Sequence, residues 1–143
     1  MKNKKGFSLV ELLMVISIIG IISVIAAVSF SKAQKDGRDR RRIDDLKAVQ
    51  NAAEQWFMLS GSYPAASYYV TNKNWTSSSG QIVLQRFPND PQNKNYKVVN
   101  GLTNVNGYCI CADLENIKNG NAENDTDCKF QNINAYYCIQ NQQ

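Results

Sequence analysis

Histidine is absent from all 143 residues. That removes Ser-His-Asp and Cys-His catalysis, and with them the commonest ligand of catalytic zinc. No nucleophile motif and no glycine-rich phosphate loop is visible either, so the sequence points away from an enzyme and calls for no cofactor. Proline is scarce, occurring at Pro64, Pro88 and Pro91 only. The residues before Pro64 therefore lack the side chain that most reliably interrupts a helix. Net charge is also small. Of the +4 total, three charges belong to Lys2, Lys4 and Lys5, and the chain without its first six residues carries +1. Such near-neutrality gives no general argument for binding nucleic acid, which stays open as a partner class.

What is present divides into two regions suited to different solvents. Mean hydropathy over the chain is −0.40, yet residues 7–30 read FSLVELLMVISIIGIISVIAAVSF. As a helix this run extends about 36 Å at 1.5 Å per residue, enough to cross the hydrocarbon core of a bilayer. Before it stands MKNKKG, short, basic and ending in a small residue. An ordinary secretory signal is cut after its apolar stretch, whereas no clear site of that kind follows this one, and the run continues into a polar helix. Length alone supports a plain single-span anchor. Glu11 argues for more, because a charge inside a spanning helix costs about 2.5–3.5 kcal/mol at the centre and should have a partner. Cutting after Gly6 would place a cationic amine on Phe7, one helical turn before Glu11, and the amine of one copy can neutralise the carboxylate of the next.

The run KKG-FSLVELLMVISIIGIISVIA resembles the class III signal and first helix of type IV pilins and of the pseudopilins of type II secretion. The resemblance is close over residues 1–60 and weaker beyond. It implies cleavage between Gly6 and Phe7 by a prepilin peptidase, N-methylation of Phe7 by the same peptidase/methyltransferase, and a role for Glu11 with Phe7 in subunit assembly. It further implies partnership with pilus assembly machinery, with the membrane at the precursor stage, and with copies of the chain itself. Ser17, Gly20 and Ser23 lie near one helix face, where small residues permit close approach between packed helices. Many relatives carry a proline in this helix. Its absence here leaves Gly20 as the expected weak point.

From Lys32 to Leu59 the apolar residues Ile43, Leu46, Val49, Ala53, Trp56 and Phe57 recur every three or four positions, which places one apolar stripe on a helix. Asp36 with Arg40, Arg40 with Asp44, and Arg41 with Asp45 stand at ion-pair spacing. The basic run Arg38–Arg42 is read accordingly as a salt-bridged face, not a DNA-binding patch. Ser60-Gly61 and Tyr63-Pro64 end the helix.

The remainder reads as a small sheet. Residues 65–80 form a polar connection, 81–87 a helical turn or a strand, and 88–95 a turn cluster. Strands are predicted at Tyr96–Val99, Tyr108–Leu114 and Ile133–Ile139, with Asn-Gly steps at 100–101 and 106–107. The run YP, then FPNDP and Tyr96, loosely resembles major pseudopilins. Cys109 and Cys111 share a strand face and are badly placed to bond each other. The pairing expected is Cys109–Cys138 across neighbouring strands, with Cys111–Cys128 closing the loop. Asp113, Glu115, Asp125 and Asp127 form an oxygen-rich set of the kind that binds calcium. They lack the ordered spacing of an EF-hand, so a solvated acidic loop is preferred and no metal is expected.

The expected organisation is a leader at 1–6, a membrane-spanning and filament-core helix at 7–30, an amphipathic continuation at 31–60, and an exported disulfide-bonded domain at 61–143. The fold class is α+β, a long helix on about three antiparallel strands. Its expected role is that of a filament subunit, inserted in the cytoplasmic membrane before assembly and lying outside it afterwards, in an extracellular pilus or a periplasmic pseudopilus. A monomeric membrane-anchored binding protein is the remote alternative.

Overall fold

A computed structural model describes residues 6–99 and 107–142. The basic residues Lys2, Lys4 and Lys5 lie outside that range, as do the Asn-Gly step at 100–101 and Asn106. One helix, α1, runs from Leu9 to Ser60, so the missing prolines do allow an unbroken run. It belongs in part to each of two compact units, Met1–Lys35 and Asp36–Gln143.

Both ends of α1 are chemically marked. Ser8 precedes it, with its Oγ accepting from the Val10 N–H at 3.3 Å. At the other end Gly61 adopts φ 71° and donates its N–H to the Phe57 carbonyl at 2.8 Å. This is the left-handed cap that glycine accommodates without a Cβ clash. The Phe57 and Tyr63 rings stack beyond it, 4.7 Å between centroids.

In the second unit the helix presents Leu46, Val49, Ala53 and Trp56 to the core, all buried. Ile43 and Phe57 are only half-buried at the margin of the stripe. Beyond a 3-10 turn at Ala66–Tyr68, a two-stranded ribbon pairs β1 (Trp75–Thr76) with β2 (Ile82–Leu84). The polar connection thus contains a turn and a strand, and the 81–87 segment resolves as a strand. The main sheet holds β3 (Lys97–Val98), β4 (Cys109–Asp113), β5 (Gly120–Ala122), β6 (Phe130–Asn134) and β7 (Tyr136–Gln140), in the order β3-β4-β7-β5-β6. All pairs are antiparallel.

The five strands replace the three expected. The segment read as one strand, Ile133–Ile139, is broken at Ala135, and the chain there passes from one side of β5 to the other. Gly120 makes that passage possible. A Cβ at this position would collide with the backbone carbonyls of Asn134 and Tyr136.

Along β4 the side chains alternate between two buried layers. Tyr108, Ile110 and Ala112 join Ile139 of β7 in the core with Leu46, Val49 and Trp56 of the helix. Cys109 and Cys111 join Cys138, Cys128, Ala122 and Val99 in a second cluster. The helix layer is strongly aromatic: Trp56, Tyr63, Tyr69, Trp75, Phe87, Tyr96 and Tyr108 are all buried there. Burial of each such ring contributes roughly 1.5–3 kcal/mol. The hydroxyls of Tyr63 and Tyr108 donate to Glu54 at 2.9 and 3.1 Å, and that of Tyr96 donates to Asp45 at 2.7 Å. Burial, reinforced by Glu54, pushes the Tyr63 phenol up to about 12.

Candidate assembly site

The N-terminal segment is defined by what it leaves uncovered. From Leu9 to Phe30 the large apolar side chains are between 46% and 86% exposed. A helix apolar on every face is not stable in water on propensity alone, so lipid or other chains must cover it. Within it lies a window of mean hydropathy 2.8, long enough to cross a membrane. Glu11 is the only charged side chain between Phe7 and Ser31.

Gly6 and Phe7 are non-helical and exposed. Immediately after them, Glu11 Oε2 accepts the Ser8 N–H at 2.9 Å. Together with the Ser8 Oγ contact to Val10 this is a capping box, in which serine and glutamate satisfy otherwise orphaned donors of the first turn. Sequence reasoning missed it, although the Ser-x-x-Glu spacing at 8–11 carries the signal. The acid therefore has a partner inside its own chain through one oxygen. Ser17 and Ser23 donate to the carbonyls of Leu13 and Ile19, at 2.8 and 2.7 Å. Their hydroxyls are thus satisfied within the helix. Gly20 sits in a regular part of α1, and a Cβ added there would meet nothing within 4 Å.

In the second unit the basic run does more than line a surface. Asp39 and Arg42 are fully buried. Arg42 Nε donates to Asp90 at 2.5 Å, Nη1 to Asp39 at 2.8 Å and to Glu115 at 3.2 Å, and Nη2 to Gln92 at 3.0 Å. Arg38 grips Glu115 with two nitrogens, at 2.6 and 2.7 Å. Asp39 also accepts the backbone N–H groups of Glu115 and Asn116. One helical turn thereby holds two loops, the 88–95 turn cluster and the segment after β4. The hydrogen bond from Arg38 holds the Glu115 carboxyl down at about 2. Burial tends to raise the Asp90 carboxyl, but Arg42 and the N–H groups of Gln92 and Lys94 outweigh it and keep it low.

Of the three ion pairs expected along the helix, Arg41–Asp45 is present at 4.0 Å. Asp36 instead accepts from the Asn116 side chain at 3.0 Å, and neither Arg40 pairing forms among the described residues. The four calcium candidates do not act together. Asp113 pairs with Lys94 at 3.0 Å, Glu115 with Arg38, Asp125 with Lys97 at 2.6 Å and Asp127 with Lys129 at 2.9 Å. Each acid faces at least one base, and outside the Arg38–Glu115–Arg42 cluster these are surface pairs whose lysines are exposed to solvent.

The disulfides differ from the expected pairing. They join Cys109 to Cys128 and Cys111 to Cys138. Strand register is the reason. Cys111 lies directly opposite Cys138, with Cα atoms 4.1 Å apart, whereas Cys109 lies opposite Gln140. Cys109 therefore turns to Cys128, on the loop between β5 and β6, at a Cα separation of 6.3 Å.

Residues 1–27 match the family model described as the prokaryotic N-terminal methylation motif. No curated protein and no solved structure matches the chain. That motif lies over the apolar first half of α1, whose one acid sits in its first turn, and it supports a prepilin or pseudopilin with a class III signal peptide.

Proposed function

We propose that this chain is a structural subunit of a type IV pilus-like filament, assembled from the cytoplasmic membrane after removal of residues 1–6 and N-methylation of Phe7. The carrying observation is the uncovered first half of α1, residues 9–30, apolar on all faces and bearing a single acid one turn beyond the Gly6–Phe7 bond. In a filament, lateral packing of such helices would bury the surface that the membrane covers beforehand. Glu11 would meet the Phe7 amine of a neighbouring copy through Oε1, the oxygen its own cap leaves unused. The Gly6–Phe7 bond is exposed and outside the helix, where a peptidase can reach it. Ser17, Gly20 and Ser23 would line the close contacts in the filament core, and the folded domain would be displayed outside it. No catalytic role is assigned to any residue.

The alternative within the same group is a major pseudopilin of a type II secretion system, favoured by the loose resemblance around Pro88–Pro91. The separate pairing of the four loop acids gives that reading no support from calcium. N-terminal mass spectrometry of surface-sheared filaments tests the proposal. Methylated Phe7 at the N-terminus of long filaments is expected, and an intact leader on a monomeric membrane protein would refute it.

A further inference from the structure

The sulfur atoms of Cys109, Cys111 and Cys128 all lie within 4.8 Å of one another, and Cys138 is bonded to Cys111. All four sulfurs thus occupy one small buried volume on the sheet face that carries the disulfides. Their settings differ. Cys109 and Cys111 belong to β4 and Cys138 to β7, the second and third strands of a five-stranded sheet, and each is 1% exposed. Cys128 is 8% exposed, lies on the 123–129 connection, and has φ 49°, in the left-handed region that non-glycine residues seldom adopt.

We propose that Cys128 is the sulfur at which an external thiol–disulfide oxidoreductase enters this domain, and that it exchanges between Cys111 and Cys109 until Cys138 captures Cys111. The chemistry begins from the reduced chain. The Cys128 thiolate attacks the oxidant's disulfide, forming a mixed disulfide and expelling one oxidant sulfur as a thiolate, which takes up a proton. The thiolate of Cys111 or Cys109 then attacks Cys128 Sγ and expels the second oxidant sulfur. Two cysteines are oxidised and one oxidant disulfide is reduced to two thiols. Where Cys111–Cys128 forms first, the Cys109 thiolate attacks Cys128 Sγ, forms Cys109–Cys128 and releases Cys111, with no net change in oxidation. That exchange is reversible, and from Cys111–Cys128 the Cys138 thiolate attacks Cys111 Sγ, forms Cys111–Cys138 and releases Cys128 as a thiolate. Cys128 then attacks a second oxidant disulfide, and the Cys109 thiolate attacks Cys128 Sγ and expels the remaining oxidant sulfur. Both equivalents thus enter at Cys128, and the chain ends as Cys111–Cys138 and Cys109–Cys128. The register makes Cys111–Cys138 terminal, because Cys138 faces Cys111 directly and Cys109 faces Gln140.

The test uses the full-length chain in detergent, reduced with a dithiol and reoxidised with glutathione disulfide. Samples are quenched by alkylation at intervals and mapped by mass spectrometry. The first glutathione adduct is expected on Cys128. In the Cys138→Ser variant, Cys128 should shift from pairing with Cys109 alone to a partition between Cys109 and Cys111. In Cys109→Ser, Cys111–Cys128 should form first and give way to Cys111–Cys138. First adducts on another cysteine would overturn the proposal. So would equal labelling of all four, which would show that the fold does not select the entry point, or a Cys138→Ser chain that forms no Cys111–Cys128.

Discussion

The side-chain amide of Asn121 does the work of a strand backbone for Cys138: its Nδ2 donates to the Cys138 carbonyl at 3.0 Å, and its Oδ1 accepts the Cys138 N–H at 2.7 Å. The Cys138 backbone groups thus point toward β5 and away from β4. Cys138 and Cys111 are consequently a non-hydrogen-bonded pair, the closer kind of cross-strand neighbour, and well placed for a bridge. Replacing Asn121 with Leu leaves both Cys138 groups unsatisfied. The expected loss is about 1–3 kcal/mol in denaturant unfolding. Asn121→Asp keeps the acceptor for the Cys138 N–H, but at neutral pH it sets a carboxylate oxygen against the Cys138 carbonyl, so it should not restore the parent's stability. Protonation at low pH, which supplies a donor, should reduce the loss.

Arg42 is the cation on which the second unit closes. Removing it strands Asp39 and Asp90, both buried. Arg42→Met should therefore cost roughly 3–5 kcal/mol, the scale for breaking a buried ion pair from one side. Arg42→Lys should recover little, because one ammonium cannot reach Asp90, Asp39 and Gln92 in the directions the planar fork serves. Urea unfolding midpoints of the three proteins decide the point. Equal stability of Arg42→Met and the parent would show that water reaches the cluster.

Acid should loosen the same clasp. Glu115 has its carboxyl lowered from an ordinary 4.5 to about 2, chiefly by Arg38. A group depressed in the folded state contributes stability above its unfolded value and loses it as pH falls toward the folded one. The contribution is accordingly full above pH 4.5 and fades between there and about 2. Melting temperature followed through that window should fall more steeply for the parent than for Glu115→Gln, which starts lower and lacks this titration.

Gly120 tests the strand crossing. Alanine there meets the carbonyls of Asn134 and Tyr136, both backbone and unable to swing aside. Gly120→Ala should cost about 1–3 kcal/mol or more, seen as a lowered unfolding midpoint, whereas Gly80→Ala relieves no crossing and has open space around it. At Gly80 the penalty comes from its φ of 80° alone.

The helix was legible because its signals are local. Leu46, Val49, Ala53 and Trp56 repeat at helical spacing, and Gly61 marks the end. Arg42 was legible in principle, standing four residues before Leu46 on the same stripe. Its charge suggested a surface face, since the burial depends on Asp90 and Glu115, which are distant in sequence. The disulfide pairing was not legible. It follows from β4–β7 register, and β5, with the sequence Gly-Asn-Ala, has no strand propensity of its own. Ala135 hides the break between β6 and β7 for a similar reason, being neither glycine nor proline.

Glu11 has two separable jobs, and two substitutions separate them. Its carboxylate caps α1 through Ser8, and on the proposed function it also neutralises a neighbour's Phe7 amine. Glu11→Ala removes both. Glu11→Gln keeps an oxygen able to accept the Ser8 N–H but carries no charge. If charge pairing drives assembly, both variants should insert in the membrane and neither should yield normal filaments in sheared fractions. If the cap alone matters, Glu11→Gln should polymerise like the parent while Glu11→Ala fails. Loss of the cap costs the helix about 0.5–2 kcal/mol, too little to expel a fully apolar span from lipid. Normal filaments from Glu11→Ala would refute a role for the acid in assembly by either route.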